Sequence, residues 1–476
     1  MIARYAVLLA ILLELTCGHG IAMAADVELP ERARAALDIR QVPDDTLSVH
    51  VRDLDSGEVV LQWNDDTAHN PGSTIKLLTT LVALDVLGPA YTWNTDVFAL
   101  GEVENGRLNG DLLLKGHGDP FLVTERVWQL LRRIQQAGIR EIDGDLHIDD
   151  SYFQVSEHDP AAFDRQPLRA YNVVPNALLM NFKAVRFWFE PDHETNSVRV
   201  LPDPALANLS VDNQLSLMQG RCRGFQRGIT ISANKKGDKI TFSGKFPSGC
   251  NRYAMDRTAL SHNEFAYGLF SSLWRESGGE FTGGWINVAA PEDIEPLLSF
   301  DSLPLADVIA RVNKHSNNVM ARQLLYTLSA KVLGEPGTEQ GGREVVANWL
   351  NDNGFVFDTL NLDNGAGLSR ESRMTARDMG AMLEFAWRQP YMPEYVSSLS
   401  LAGLDGTLKR RFDGPALDGN AHLKTGSLDH ITAIAGYLQA RSGRRFTVVI
   451  MQSYEDIHRG PGQEIQEALL RWVYDQ

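Results

Sequence analysis

The clearest periodic signal lies in residues 70–87, NPGSTIKLLTTLVALDVL. Leu77, Leu78, Leu81, Val82 and Leu84 return at three- and four-residue spacing, which predicts an apolar helix that a Pro-Gly pair leads into at Ser73. Upstream, LSVHVRDL and EVVLQWN flank Asp55-Ser56-Gly57, the pattern of a β-hairpin. After Gly88-Pro89 the chain turns to short alternating runs. One helix is expected around residues 127–138, and strands in GDLHIDDSYF, AVRFWFEP and NSVRVLP. Helical patterns return from Asn263, in EFAYGLFSSLWRESGG, LADVIARVNKHSNNVMARQLLYTLSAKV, GGREVVANWLNDNG and TARDMGAMLEFAWR. The chain closes on HLKTGSL, two apolar strands and the helix GQEIQEALLRWVYDQ. Strands near both ends with helices between them predict one α/β (α+β) domain, residues 25–92 and 255–476. Its sheet draws on both termini. Residues 93–254 then form a β-rich insertion of one or two further domains, read as two nested subdomains.

Composition narrows the function classes. A chain of 476 residues with 43% hydrophobic and 22% charged content is an ordinary globular protein of two or three domains. A net charge of −16 argues against a nucleic-acid partner, which needs a basic surface. No zinc-type Cys/His spacing, P-loop or dinucleotide fingerprint occurs, so no metal or cofactor is expected. At the N-terminus, Arg4 precedes a short apolar run over residues 6–15, and Ala22-Met23-Ala24 fits a cleavage site. Residues 1–24 therefore read as a secretory signal. The run is too short, and too interrupted by Glu14, for a membrane span, and the C-terminal helix has no basic face. Losing Cys17 with the leader leaves Cys222 and Cys250. An oxidised pair across the Ser232 hairpin and two buried thiols are both compatible with the sequence.

Candidate chemistry starts at Ser73 and Lys76, one helical turn apart on one face. An amine among apolar neighbours loses its proton more easily, and a neutral amine beside a hydroxyl makes a nucleophile with its base. Ser-x-x-Lys alone is weak, since it is expected about once by chance in such a chain. Ser232-Ala-Asn-Lys235 is a second copy, but it falls in a predicted hairpin turn with an exposed lysine. Ser316-Asn317-Asn318 interrupts an apolar helical pattern with polar residues, which costs stability unless they face a cleft. Its other copy, Ser261-His262-Asn263, reads as a helix cap. Lys424-Thr425-Gly426 is unique in the chain and opens an apolar strand. Its lysine offers charge to a carboxylate, its threonine a hydroxyl, and its glycine close backbone approach. His117 and Asp119 read as parts of a Gly-Asp-Pro turn.

The three motifs, in this order on helix, helical interruption and strand, resemble the active-site set of the penicillin-recognising serine acyltransferases. The long stretch between the first and second motifs is similar to the class C low-molecular-mass penicillin-binding proteins, the D-alanyl-D-alanine carboxypeptidase/endopeptidase family. PGSTIKLLTT, GDLLLKGHGDP, HSNNVMARQLL, DNGAGLSR, LAGLDGTLKRRF and HLKTGSLDHI carry the resemblance, from about residue 40 to the end. It implies a β-lactamase/transpeptidase-like domain, an antiparallel sheet flanked by helices. Its implied substrates are periplasmic peptidoglycan stem peptides ending in D-Ala-D-Ala or cross-linked through D-Ala, with β-lactams as covalent inhibitors. Ser73 would be the nucleophile and Lys76 its base, with Ser316 and Lys424 relaying the proton and Asn318 orienting Lys76. Thr425, Gly426 and Ser427 would border the substrate, with Lys424 and Thr425 on its terminal carboxylate. Asp149 would meet the ammonium of a diamino acid and Arg370 its carboxylate. Asp429, just after Ser427-Leu428, departs from the pattern and would alter side-chain preference.

Overall fold

The computed structural model describes residues 28–412, 414 and 416–476. The expected leader, with Cys17, lies outside the described residues. A six-stranded antiparallel sheet runs in the order Ser400–Leu401, Ala421–Leu428, Ile431–Gln439, Arg445–Ser453, Leu47–Asp53, Val59–Trp63. The expected hairpin of Leu47–Asp53 and Val59–Trp63 is present, the two C-terminal strands pair with each other, and the pairing of Leu47–Asp53 with Arg445–Ser453 joins the two ends of the chain.

The near-continuous apolar runs of the C-terminal strands are explained by burial on both faces. Alternate side chains go opposite ways. Ile434, Leu438, Val448 and Ile450 pack with Ala33 and Leu37 of helix Glu31–Arg40 and with Ile465 and Leu469 of helix Pro461–Tyr474. Ala433, Ala435, Tyr437, Val449 and Met451 pack on the other side, against a helical layer. Helix Lys76–Leu87 lies in that layer, enclosed by residues from helices Leu305–His315, Asn318–Val332, Glu339–Asp352 and Ala376–Trp387. A helix that is apolar nearly all round belongs in a core. Every side chain from Lys76 to Leu84 is buried.

The chain leaves this unit at Trp93 and returns at Ser302. The Trp93 N–H donates to Ser302 Oγ at 2.9 Å, and the Ser302 N–H donates to the Trp93 carbonyl at 2.8 Å. Between these points stand a seven-stranded mixed sheet and two three-stranded sheets, whose apolar side chains merge into one cluster. The insertion therefore extends beyond residue 254, where the sequence pattern placed its end. Helix His262–Glu276 buries Phe265, Leu269, Phe270 and Trp274 in the insertion's core, and strand Leu298–Asp301 pairs with Asn94–Glu104. An amphipathic helix does not announce which core its apolar face will join. Its start is as expected: Ser261 and Glu264 form a reciprocal capping box.

Cys222 and Cys250 are disulfide-bonded, with Cα atoms 4.7 Å apart. They follow the parallel strands Ser210–Arg221 and Lys239–Gly249, and the closed loop contains the strand Ile229–Ala233. A loop of this length implies about 3 kcal/mol of stabilisation, confined to a lobe remote from Ser73. Reduction should lower the first thermal transition while labelling by fluorescent penicillin at 25 °C persists, a pair of readouts that calorimetry and gel fluorescence provide.

Candidate active site

The Pro71-Gly72 pair turns the chain into one 3₁₀ turn, Gly72–Ile75, that runs directly into helix Lys76–Leu87. Ser73 stands on that turn, half-buried, and the wholly buried Lys76 follows one turn later. Lys76 Nζ meets Ser73 Oγ at 2.9 Å, Asn318 Oδ1 at 2.7 Å, and the carbonyl oxygen of Ala366. The two carbonyl oxygens only accept. They take the two N–H bonds of a neutral amine and leave its lone pair to the Ser73 hydroxyl. Neutrality is also what the surroundings favour. Burial, and after it the charge of Lys424, hold the Lys76 pKa well below the ordinary lysine range.

The polar triplet at 316 resolves differently from a bump in a continuous helix. Helix Leu305–His315 stops, Ser316 takes a left-handed backbone (φ 54°), and helix Asn318–Val332 starts afresh. Asn317 is the cap, accepting the Met320 N–H at 3.1 Å. A left-handed serine costs about 1 kcal/mol, and the break turns both Ser316 and Asn318 to the site. Lys424 Nζ donates to Ser316 Oγ at 2.9 Å and to the Thr425 carbonyl at 2.8 Å. This lysine is also fully buried, and burial brings its pKa down to about 7.

Strand Ala421–Leu428 pairs on its outer side only at His422 and Leu423, so from Lys424 onward that edge is unpaired among the described residues. Thr425 Oγ1 donates to Thr407 Oγ1 at 2.9 Å. Gly72 and Gly426 let the serine turn and this strand meet. A methyl group on Gly426 would stand 2.4 Å from the Pro71 carbonyl oxygen and 3.0 Å from the Ser73 nitrogen. One on Gly72 would stand 3.3 Å from the Ser427 nitrogen. These contacts bring the backbone of the Ser73 turn and of Ser427 together.

The resemblance placed the phrase NGAGLSR at the border of the substrate, but gave its backbone no part in holding Lys76. Asn364 Oδ1 accepts the Ala366 and Gly367 N–H groups, and Thr79 Oγ1 donates to the Gly365 carbonyl at 2.7 Å. Gly367 (φ 77°) lies so close to Gly72 that a methyl there would be 2.0 Å from its carbonyl oxygen. These contacts aim the Ala366 carbonyl at Lys76. The only prior signal was the phrase DNGAGLSR, whose glycines mark a tight approach.

Arg370 continues the same loop, exposed, with its guanidinium 5.1 Å over the Phe163 ring from the insertion. The Asp149 carboxylate accepts from the Ser151 amide and hydroxyl and from the Ala290 amide, and the residue is 1% exposed. These donors, with Lys115 Nζ 3.9 Å away, hold the carboxylate inside the insertion. Asp119 likewise closes its turn on the Phe121 amide at 2.8 Å. Asp429 is exposed, 3.6 Å from His458 Nε2.

His430, Asp456 and His458 bring three potential ligand atoms together at the turn after this strand. Both Nδ1 atoms already accept backbone N–H groups, from Asp456 at 3.0 Å and from His430 at 2.9 Å. Neutral rings that accept at Nδ1 carry their proton on Nε2, so neither has a lone pair left for an ion.

A serine hydroxyl facing a buried amine whose pKa is held low is the arrangement of a serine acyl-transfer enzyme. Residues 32–475 match the family described as D-Ala-D-Ala carboxypeptidase 3 (S13), and the chain belongs to that family. It is 27% identical over 468 residues to a D-alanyl-D-alanine carboxypeptidase of Actinomadura sp., covering 93% of this chain and 84% of the relative. It is 24% identical over 403 residues to D-alanyl-D-alanine carboxypeptidase DacB of Haemophilus influenzae, covering 84% and 83%. The crystal structure of penicillin binding protein 4 from Haemophilus influenzae superposes with a TM-score of 0.78 at 22% identity, over 93% of this chain and 99% of that one.

The glycine contact carries a direct consequence. Gly426→Ala should cost roughly 1–3 kcal/mol of stability and slow acylation at least about tenfold, by pushing the Ser73 amide off its mark. A melting curve and stopped-flow acylation with a fluorescent penicillin measure the two effects.

Proposed function

We propose that this protein cleaves peptidoglycan stem peptides that end in D-Ala-D-Ala, and cross-links through D-Ala, by way of an acyl-enzyme on Ser73. The observation that carries the reading is the fully buried Lys76 amine held between two carbonyl acceptors and the Ser73 hydroxyl. Ser73 Oγ attacks the carbonyl of the penultimate D-Ala while its proton passes to Lys76 Nζ. The oxyanion sits between the amides of Ser73 and Ser427, each worth about 3 kcal/mol in the transition state. Collapse expels the terminal amine, which takes a proton relayed from Lys76 through Ser316 and Lys424. Lys424 and Thr425 hold the terminal carboxylate, and Asn318 orients Lys76 and the substrate amide. Arg370, at the cleft rim with Phe163, meets the carboxylate of the third residue's side chain. Water then hydrolyses the ester. Carboxypeptidase and endopeptidase cleavage share this acyl-enzyme and differ only in the leaving amine.

A β-lactam presents the same carbonyl and carboxylate to the same groups and acylates Ser73. Export to the periplasm, where this substrate lies, is supported by the leader pattern and by the disulfide, which suits an oxidising compartment. No helix among the described residues is long and apolar enough to cross a membrane.

Ser73→Ala should abolish covalent labelling by fluorescent penicillin without lowering the melting temperature; a labelled variant would remove Ser73 from the mechanism. The pH profile should have two limbs. Lys76 must be neutral to accept the proton, so acylation rises with pH through its depressed pKa. Lys424 must be charged to hold the carboxylate, so efficiency falls again as pH passes about 7. A substrate methyl-esterified at its terminal carboxylate should lack the alkaline limb. An alkaline limb that persists with the ester would count against the Lys424 role.

A further inference from the structure

The reaction leaves unused a second cleft, of about 620 Å³, inside the insertion. It lies where the loop 165–169, the turn after strand Ile229–Ala233 and the end of strand Tyr253–Arg257 come together. Arg165, Arg169, Lys235, Lys236 and Arg257 line it, and no Asp or Glu does. Such a concentration stands out in a chain of net charge −16. Lys235 belongs to the Ser-x-x-Lys copy that has no part in acylation.

Two of these cations are held in a costly way. Arg169 and Arg257 face one another in an antiparallel bridge, reinforced by the Thr258 N–H donating to the Leu168 carbonyl at 3.1 Å. Like charges directly opposite are destabilising. Arg257 is only 8% exposed, and it donates to the Asp256 carbonyl at 2.7 Å and to Met255 Sδ at 3.3 Å. Arg169 donates to Gln166 Oε1 at 2.7 Å. The carboxylates of Asp164 and Asp256 are near enough for their charges to act on Arg169 and Arg257, but their hydrogen bonds go to Tyr171 and Asn172 and to Arg186. A buried guanidinium beside a second one, with no carboxylate among its hydrogen-bond partners, is the arrangement an incoming anion completes.

The same two arginines also border the larger cleft, of about 1130 Å³, whose lining reaches Ser316 and Asn318 and, unlike the smaller cleft, includes acids, Glu125, Asp203 and Asp256. Tyr171, two residues beyond Arg169, accepts a hydrogen bond from Asn318 Nδ2 at 3.4 Å through its carbonyl. The arginine pair and the acylation site thus share one cleft. From this geometry we infer that Arg169 and Arg257 form a carboxylate subsite for a second acidic peptide strand of cross-linked peptidoglycan. That strand is held in the insertion while its neighbour is cut at Ser73. The inference rests on the proposed function above for the identity of the polymer. Guanidinium forks suit carboxylate and phosphate alike. Continuity with a site that acylates a peptide favours the carboxylate.

The test uses the full exported enzyme, the variants Arg169→Gln and Lys235→Gln/Lys236→Gln, and a purified cross-linked muropeptide dimer. Arg169→Gln should raise KM for the dimer about tenfold, the lysine pair about threefold, with kcat within twofold of the parent. Amidating only the carboxyl groups of the strand that is not cut should raise the parent's KM by a similar factor. The second-order rate of penicillin acylation should stay unchanged in both variants. Unchanged KM in both variants overturns the subsite. So does a polyglycerol phosphate that competes with the dimer while amidation has no effect, which would make the ligand a phosphate polymer. Calorimetric binding of the dimer to Ser73→Ala, with and without Arg169→Gln, reads the subsite even where Ser73 chemistry fails, so the two readings fail separately.

Discussion

Two lysine side chains are buried in one cleft with no carboxylate among their hydrogen-bond partners, and the rest of the site is built around that constraint. Lys76 and Lys424 are each wholly enclosed. Burial lowers the pKa of both, and the charge of Lys424 pushes Lys76 down further. What the protein supplies in place of counter-charge is a set of neutral acceptors: Asn318 Oδ1 and the Ala366 carbonyl for one amine, Ser316 Oγ and the Thr425 carbonyl for the other. A carboxylate in place of Asn318 Oδ1 or the Ala366 carbonyl would favour the charged form of Lys76.

Holding neutral acceptors at hydrogen-bond distance demands close backbone packing. Gly72, Gly367 and Gly426 meet around Ser73 from three separate segments, at distances where a single methyl group would collide. The left-handed turn at Ser316 serves the same end, ending one helix and starting another so that two polar side chains face the cleft. The scaffold is correspondingly rigid. The nucleophile's helix is packed on all sides, and the Lys424 strand is bound into a sheet that uses both ends of the chain. The insertion attaches through the Trp93–Ser302 crossing and reaches back to the site at Tyr171 and Phe163.

Local pattern was enough for most elements and for the three motifs, because hairpins, caps and apolar periodicity are short-range signals. It misplaced what depends on the choice of partner. Helix His262–Glu276 looks like any amphipathic helix, and only the core it joins shows that it belongs to the insertion. Asp149 reads as an acid suited to an ammonium, and only the structure shows the amides of Ser151 and Ala290 that bond it. Arg169 and Arg257 carried no signal at all, being far apart in the chain and ordinary in isolation.

The sequence by itself determined the chemistry available: one serine one turn before a lysine in an apolar helix, a polar triplet that breaks a helix, and a lysine opening an apolar strand. It also determined the two-ended sheet, since strand patterns at both termini have few other partners. Tertiary structure decided the lowered pKa of Lys76, the carbonyl of Ala366 as its second acceptor, the partners of Asp149 and the pairing of the two arginines. The reason is physical. A pKa, a hydrogen-bond geometry and a desolvation cost depend on what surrounds a group in space, and those neighbours come from segments hundreds of residues away.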